Sequence, residues 1–502
     1  MNKKFLFEKI NYLKKNKKKI LLCHGVFDVV HIGHIMHFQS AKKEGDVLVV
    51  SLTKSKFIKK GPGRPIFNDK QRIEFLNSLK IVDFVYLCET ESAEDAIKFI
   101  KPDLYIKGPD YKDNKKDKTR KIYKEKALVK KFGGRILYTD DQKYSSTKII
   151  NNYNYNLNKE QIDYIKQINK KYSVKKIYDY LNQLKNKKIL VFGELIFDHY
   201  KYGDVIGKAG KEPHLVFKEN FEEFYAGGSS AVARHISAFV QNVDLLCSFD
   251  QKKKFKNILS KQLSKNINFI NVLSKKHFPT IVKTRFLDKN SNYKMFGSYK
   301  IPGKLDEKYY FKILNKFKSK LKRNNSIILC DYGHNFVDDN LINYFNKLKI
   351  FRSVNSQVNS STSGFTSVSK YKKINLMVIN ETELRQELRE TSKNIFLLSK
   401  KFAKNQKIQN LIVTRGKNGA LLVNNYKKIF NCPAFAIKSV DKIGAGDSVL
   451  AFSSLLLSIN VPKDLTLFIS SLAATQSIQS IGNKETVDKN KLYSDIDFLL
   501  NV

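Results

Sequence analysis

Cysteine is scarce in this 502-residue chain: Cys23, Cys88, Cys247, Cys330 and Cys432, with no Cys-x-x-Cys pair among them. That count and spacing exclude a disulfide framework and a structural zinc site, and they point to a reducing, cytoplasmic setting. Long apolar runs are missing too. No stretch of about 18 uncharged apolar residues occurs, which excludes a membrane-spanning helix. The opening MNKKFLFEKINYLKKNKKK is broken by charge every few residues and lacks the apolar stretch of a secretory signal. Acidic residues number only 47 against 92 basic ones, for a net charge of +45. Arginine, the side chain suited to bidentate recognition of phosphates and bases, supplies only 11 of the 92; lysine supplies 81. Asn, Ile, Phe and Tyr are abundant as well, and like Lys they have AT-rich codons. The charge is therefore read as solvated surface lysine rather than a nucleic-acid footprint, and no nucleic acid is expected as a partner.

What is present is a chain that is 42% hydrophobic, which excludes a mainly disordered protein. At roughly 100–200 residues per domain, its length predicts two to four domains. Short apolar strands alternate with helices from the start: KILLC at 19–23, a helix at about 35–43, DVLVVSLT at 46–53, a helix at 70–79, and strands at 83–88, 103–107 and 135–138. Such alternation predicts an α/β fold with a parallel sheet covered on both faces. The polar, low-complexity NNYNYNLN at 151–158 marks a boundary. A helical pattern at Ile162, Ile165, Ile168 and Tyr172 follows, and a second β/α series opens with KKILVFGELIFDHY. The stretch from about 203 to 225 alternates like a strand. The predicted organisation is an α/β domain over 1–150, a linker with a helix over 151–187, and a second α/β domain over 188–502.

In the first domain, His31-Ile32-Gly33-His34 falls where the first strand turns into a helix. The glycine lets a phosphate approach the backbone, and the helix start offers free N–H groups and a positive dipole end. Two imidazoles there can donate hydrogen bonds to phosphate oxygens as charge builds in a transition state. HGVFDVVHIGH, GPGRP, KPDLYIKGPDY and YSSTKII, in that order, resemble the cytidylyltransferase-like nucleotidyltransferases. The likeness is to the adenylyltransferase half of the bifunctional heptose-phosphate kinase/adenylyltransferases, over about residues 18–150. It implies a small Rossmann-like fold and attack by a sugar or alcohol phosphate on the α-phosphate of a nucleoside triphosphate, ATP or CTP, with pyrophosphate leaving. On that resemblance His31 and His34 stabilise the α-phosphate and Lys60 neutralises triphosphate charge. Phe27 and Asp28 shape the nucleotide loop, and Ser145, Ser146 and Thr147 bind phosphates. Asp141, Gln142 and Lys143 stand where many relatives carry an Arg. The literal HIGH also occurs in class I aminoacyl-tRNA synthetases; their KMSKS-type loop is absent, and the first α/β series closes within about 150 residues, too few for their inserted domain.

In the second domain, a Gly444-Ala445-Gly446 turn before a helix forms an anion hole of backbone N–H groups, and Asp447 at its end can take a hydroxyl proton. Together with YAGGSSAVARHIS, Asn380-Glu-Thr-Glu383 and VTRGKNG at 413–419, it resembles the ribokinase family of sugar kinases over about residues 188–502. The resemblance implies a doubly wound fold with a β lid near 204–225, an ATP-dependent carbohydrate kinase, and a homodimer. Asp447 is then the base, Gly444, Ala445 and Gly446 hold the transferring phosphoryl group, and Thr414, Gly416 and Gly419 line the ATP site. Asp198, Gly227 and Gly228 hold sugar hydroxyls, and Asn380 and Glu383 associate indirectly with Mg2+. Three departures lie mostly on the sugar side: Ala231 replaces the Asn of the family's Gly-Gly-x-x-Asn, Asp441-Lys442-Ile443 replaces a Thr-rich approach, and SVNSQVNSSTSGF at 353–365 replaces an Asp-Pro-Lys stretch. A kinase joined to a nucleotidyltransferase, in reversed order relative to the heptose enzyme, implies synthesis of a nucleotide-activated sugar for surface glycans such as lipopolysaccharide. The competing expectations are a basic nucleic-acid binder and a sugar sensor with an inactive kinase fold.

Overall fold

A computed structural model of the chain describes residues 3–58, 65–108, 121–139, 157–273, 278–357, 367–436, 441 and 443–500. The chain divides into two compact units, 1–158 and 159–502. Among its described residues the first unit holds five strands, β1 Ile20–Gly25, β2 Val47–Thr53, β3 Phe84–Cys88, β4 Leu104–Lys107 and β5 Arg135–Tyr138. They form one parallel sheet in the order β3-β2-β1-β4-β5. Successive residues of β1 enter opposite cores. Ile20 and Leu22 pack with Val47, Val49, Tyr86 and Tyr105, whereas Leu21 and Cys23 pack with Leu48, Val50, Phe38 and Ile106. With both faces covered, the central strands β1 and β2 open as apolar runs, ILLC and VLVV. The strand order reverses between β1 and β4, and a crevice at the carboxyl ends of such strands is where open α/β sheets take ligands. The HxGH helix, Ile32–Lys42, starts from that end of β1.

In the second unit, the stretch 151–187 expected to be a linker contributes two helices, Lys159–Lys171 and Val174–Gln183. Both pack on the unit that follows. Tyr172 Oη and Lys171 Nζ bond the Asp464 carboxylate at 2.8 and 2.7 Å, and Asn169 Nδ2 reaches Leu500 O at 2.8 Å. Among the described residues thirteen strands follow: β6 Lys188–Gly193, β7 Leu195–Lys208, β8 Leu215–Gly228, β9 Asn242–Cys247, β10 Ile267–Asn271, β11 Ile281–Asp288, β12 Lys294–Lys300, β13 Ser326–Asp331, β14 Phe351–Ser356, β15 Leu376–Asn380, β16 Asn410–Thr414, β17 Ala420–Asn424 and β18 Lys428–Cys432. Nine make a sheet ordered β10-β9-β6-β13-β14-β15-β16-β17-β18, in which only β17 runs antiparallel to the others. Its order reverses between β6 and β13. The other four, β12-β11-β7-β8, form a separate sheet around the long β7–β8 hairpin, in the stretch whose alternation predicted strand and where the family resemblance implied a β lid. The fold class is thus α/β with parallel sheets: a Rossmann-like first unit and a ribokinase-like doubly wound second unit.

The five cysteines are buried and form no disulfide. Among the described residues no helix is long and apolar enough to cross a membrane.

Candidate active sites

In the first unit, His31 is the N-cap of helix Ile32–Lys42. Its Nδ1 accepts from Gly33 N at 3.1 Å, and its own N–H donates to His34 Nδ1 at 3.3 Å. The two rings stack with centroids 4.0 Å apart. Since each Nδ1 accepts a backbone N–H, a neutral ring carries its proton on Nε2, which is then a donor. Burial lowers the pKa of His31, favouring that neutral form. The loop before the helix is bolted down. Phe27 sits at φ +47 with its ring against His34 and Phe38, at 5.2 and 5.5 Å. Asp28, buried, accepts from Ile66 N at 2.6 Å and Phe67 N at 3.3 Å. Arg72, which the motifs did not suggest, is 2% exposed and donates to Val26 O at 2.6 Å and Thr53 O at 3.0 Å, joining the loop to β2. Lys60, Ser145, Ser146 and Thr147 lie outside the described residues.

In the second unit, Gly444 is the N-cap of helix Ala445–Ser458 at φ +88, a left-handed conformation that suits glycine. Gly446 and Asp447 fall in the first turn. Asp447 is buried, and Tyr332 Oη donates to its Oδ1 at 2.7 Å. Burial pushes the Asp447 carboxyl up to about 7 despite that bond. Tyr332 follows β13, and its backbone N–H donates to Glu194 Oε2 at 2.7 Å; Glu194 Oε1 accepts from His334 N at 2.6 Å. Glu194 therefore ties the ends of β6 and β13 where the sheet order reverses.

Asp198, on β7, is buried and accepts from Arg285 Nη1 at 2.7 Å and Asn483 Nδ2 at 3.0 Å. Arg285 and Lys283 come from β11, whose parallel pairing sets Lys283 beside Asp198. Lys283 is buried, which lowers its pKa, and it interacts electrostatically with Asp198, Glu194 and Asp447. Gly227 and Gly228 end β8 opposite Ile196 and Leu195. The structure thus gathers Asp447, Asp198, Gly227 and the Gly444 turn, and adds Glu194, Lys283, Arg285, Tyr332 and Asn483. Glu194 lies in KKILVFGELIFDHY and Tyr332 just after the strand IILCD, but the motifs assign neither a role; the parallel β7–β11 register that aligns Lys283 with Asp198 leaves no trace in either segment alone.

Thr414 ends β16, and Gly416 and Gly419, at φ +56 and +77, make the turn into β17. Asn380 and Glu383 form a reciprocal helix cap: Asn380 Oδ1 accepts from Glu383 N at 2.8 Å, and Glu383 Oε2 accepts from Asn380 N at 2.9 Å. The pattern Asn-x-x-Glu before a helix is itself a capping-box signal. Burial pushes the Glu383 carboxyl up to about 7. Among the described residues no cluster of three or more His, Cys, Asp or Glu is placed to hold a metal ion. A triphosphate-borne Mg2+ needs only one or two carboxylates, so a single Glu383 fits it.

Residues 186–490 match the pfkB family carbohydrate kinases, and residues 22–152 match the cytidylyltransferase-like family. The bifunctional protein HldE of Campylobacter jejuni is 44% identical over 108 residues, 21% of this chain and 23% of that protein. HldE of Desulfatibacillum aliphaticivorans is 36% identical over 141 residues, 28% of this chain and 27% of that protein. The chain spans about a quarter of the length of these curated relatives. Crystal structures of Escherichia coli phosphofructokinase-2, one in complex with potassium and one with fructose-6-phosphate, share its fold. Each has a TM-score of 0.51 at 15% identity, covering 63% of this chain and 99% of the other.

Proposed function

The chain belongs to the pfkB family of carbohydrate kinases and carries a cytidylyltransferase-like domain ahead of the kinase domain; from that premise we propose that it is a bifunctional enzyme of nucleotide-sugar synthesis. The second unit phosphorylates a sugar of the heptose-phosphate class with ATP. The first joins a sugar phosphate to the nucleotidyl group of ATP or CTP and releases pyrophosphate. The product is a nucleotide-activated sugar of the ADP-heptose kind, for surface glycans such as lipopolysaccharide.

The observation that carries this reading is Asp447, a buried carboxylate beside a glycine turn at a helix start. Tyr332 holds Oδ1, which leaves Oδ2 to take the proton of the sugar hydroxyl. A carboxyl pushed up to about 7 is a stronger base than an exposed one. As that proton leaves, the hydroxyl oxygen attacks the γ-phosphate, and the N–H groups of the Gly444, Ala445 and Gly446 turn meet the charge on the transferring phosphoryl group. Thr414, Gly416 and Gly419 line the ATP site, while Asp198, Gly227 and Gly228 hold sugar hydroxyls. Mg2+ bound with ATP offsets phosphate charge, with Glu383 and its cap partner Asn380 facing it indirectly.

In the first unit, the Nε2–H groups of His31 and His34 donate to the α-phosphate as the acceptor oxygen bonds to phosphorus and pyrophosphate departs. Phe27 and Asp28 fix the loop that brings them there. Lys60 and Ser145, Ser146 and Thr147 take the triphosphate by resemblance. We place the protein in the cytoplasm, as a homodimer through its lid, whose exposed Ile206, Leu215 and Phe296 support such a contact.

Mass spectrometry of the purified protein with a panel of sugars and sugar phosphates and all four nucleoside triphosphates tests the proposal. ADP and a nucleoside diphosphate sugar are expected. Absence of both products from every combination would reject it, and steeply salt-dependent RNA binding in that case would favour the nucleic-acid binder.

A further inference from the structure

Position 231, where the resemblance to the ribokinase family implies an Asn, is a buried alanine on helix Ser229–Ser237. Asn483, 3% exposed, lies in the loop between helices Lys463–Ser477 and Lys489–Leu500. Its carbonyl O accepts from Arg234 Nη1 at 2.9 Å, so its backbone is pinned to the helix that carries Ala231. Its Nδ2 donates to Asp198 Oδ2 at 3.0 Å. A carboxylate only accepts, which fixes the amide orientation and turns Oδ1 away from Asp198.

That Oδ1 is buried and has no hydrogen-bond partner among the described residues. It is aimed at the phosphoryl side of the site: a Cβ built on Gly444 would stand 2.6 Å from it. On the other side, a Cβ on Gly227 would stand 2.3 Å from Asp198 Oδ2 and 2.8 Å from Asn483 Nδ2. The Asp198–Asn483 pair therefore sits between the two glycine segments that border the substrate. A buried acceptor with no donor is unfavourable, and a ligand hydroxyl relieves it.

We propose that Asn483 is a specificity-determining sugar-binding residue of the kinase site, its Oδ1 accepting a hydroxyl adjacent to the one held by Asp198 and replacing the amide that position 231 lacks. The ligand class is a polyol with neighbouring hydroxyls, and the proposal rests on the kinase reading above. Asn483 sets which hydroxyl pattern is accepted and does not take part in phosphoryl transfer.

The test is a cycle on the full-length protein, crossing Asn483→Ala with a heptose phosphate and its monodeoxy analogues as probes. Asn483→Ala should raise the sugar KM about tenfold and leave the ATP KM unchanged. Removing one particular hydroxyl should cost wild type about tenfold in kcat/KM and cost the variant less than twofold. Equal losses in both proteins for every analogue, or an unchanged sugar KM, would overturn the proposal. Should the alanine variant fail to fold, Asn483→Ser keeps a donor toward Asp198, removes Oδ1 and serves the same cycle. If wild type turns over none of these sugars, the kinase reading fails; the cycle is then run on sugar affinity by calorimetry, where absence of any hydroxyl-specific coupling overturns the role of Asn483 separately.

Discussion

Burial acts on the His31 imidazole of the first unit and on the Asp447 carboxylate of the second in the same sense, toward the uncharged form, yet with opposite consequences for the proposed chemistry. His31 is moved down and Asp447 up. On the proposed mechanism the neutral imidazole is the working form, because its Nδ1 caps the helix while Nε2–H is a donor. Protonation would convert that Nδ1 from acceptor to donor and break the cap. On the same proposal the neutral form of Asp447 is the idle one, since a protonated carboxyl takes no proton. One physical term therefore supports the first site and taxes the second. The kinase site tolerates this because a stronger base results, and because Tyr332 Oη and the nearby Lys283 favour the charged form.

The largest expected effect breaks the two sites apart. Asp447→Asn should lower ADP formation by roughly 10³-fold and leave pyrophosphate release unchanged, whereas His34→Ala should lower pyrophosphate release by roughly 10²–10³-fold and spare the kinase. Coupled colorimetric assays on each variant read both activities, and loss of both together would contradict separate sites.

The next effect concerns pH. Kinase kcat/KM should climb about tenfold per pH unit below about 7 and level off above it, as Asp447 ionises. Pyrophosphate release should hold level above pH 7 and decline only below the ordinary imidazole value of 6.5. The same carboxyl affects stability. Its folded pKa lies above its unfolded one, so its contribution is fully present below about pH 4 and is lost as pH rises through about 7. Asp447→Asn should then be more stable than wild type at pH 8, on the order of 2–4 kcal/mol, and no more stable at pH 4. Thermal melts at the two pH values check this.

The smallest effect separates cap from cation in Asn380-x-x-Glu383. Asn380→Ala should cost about 1 kcal/mol of stability by loss of the helix cap. The proposed indirect contact to Mg2+ predicts in addition a higher Mg2+ concentration for half-maximal kinase rate. A lower melting temperature with unchanged Mg2+ dependence would leave the motif a cap alone.

Much of the scaffold was readable in the chain. KILLC and DVLVVSLT announce buried parallel strands because both sheet faces are covered, and the alternation through 203–225 announces the extended β7–β8 hairpin. The HxGH and GAGD motifs are local, since a helix start needs only neighbouring residues to present its N–H groups. The helix pattern at Ile165 and Ile168 was visible as well, but the surface that buries it was not. Asn-x-x-Glu carried two meanings at once, and its capping box follows from the same four residues that suggested a cation.

The linear order of residues determined the two α/β series and the turns that open the helices at His31 and Gly444, because each depends on contacts between residues close in sequence. Tertiary structure alone decided the surroundings that set their chemistry. The depth of Asp447, its hydroxyl partner Tyr332, the cations Lys283 and Arg285 brought to Asp198 by the β7–β11 register, and the Asn483 amide bonded to Asp198 all come from segments far apart in the chain. Their proximity is a consequence of how the sheets stack and pair, and burial and local charge, which govern proton affinity, exist only once that packing is complete.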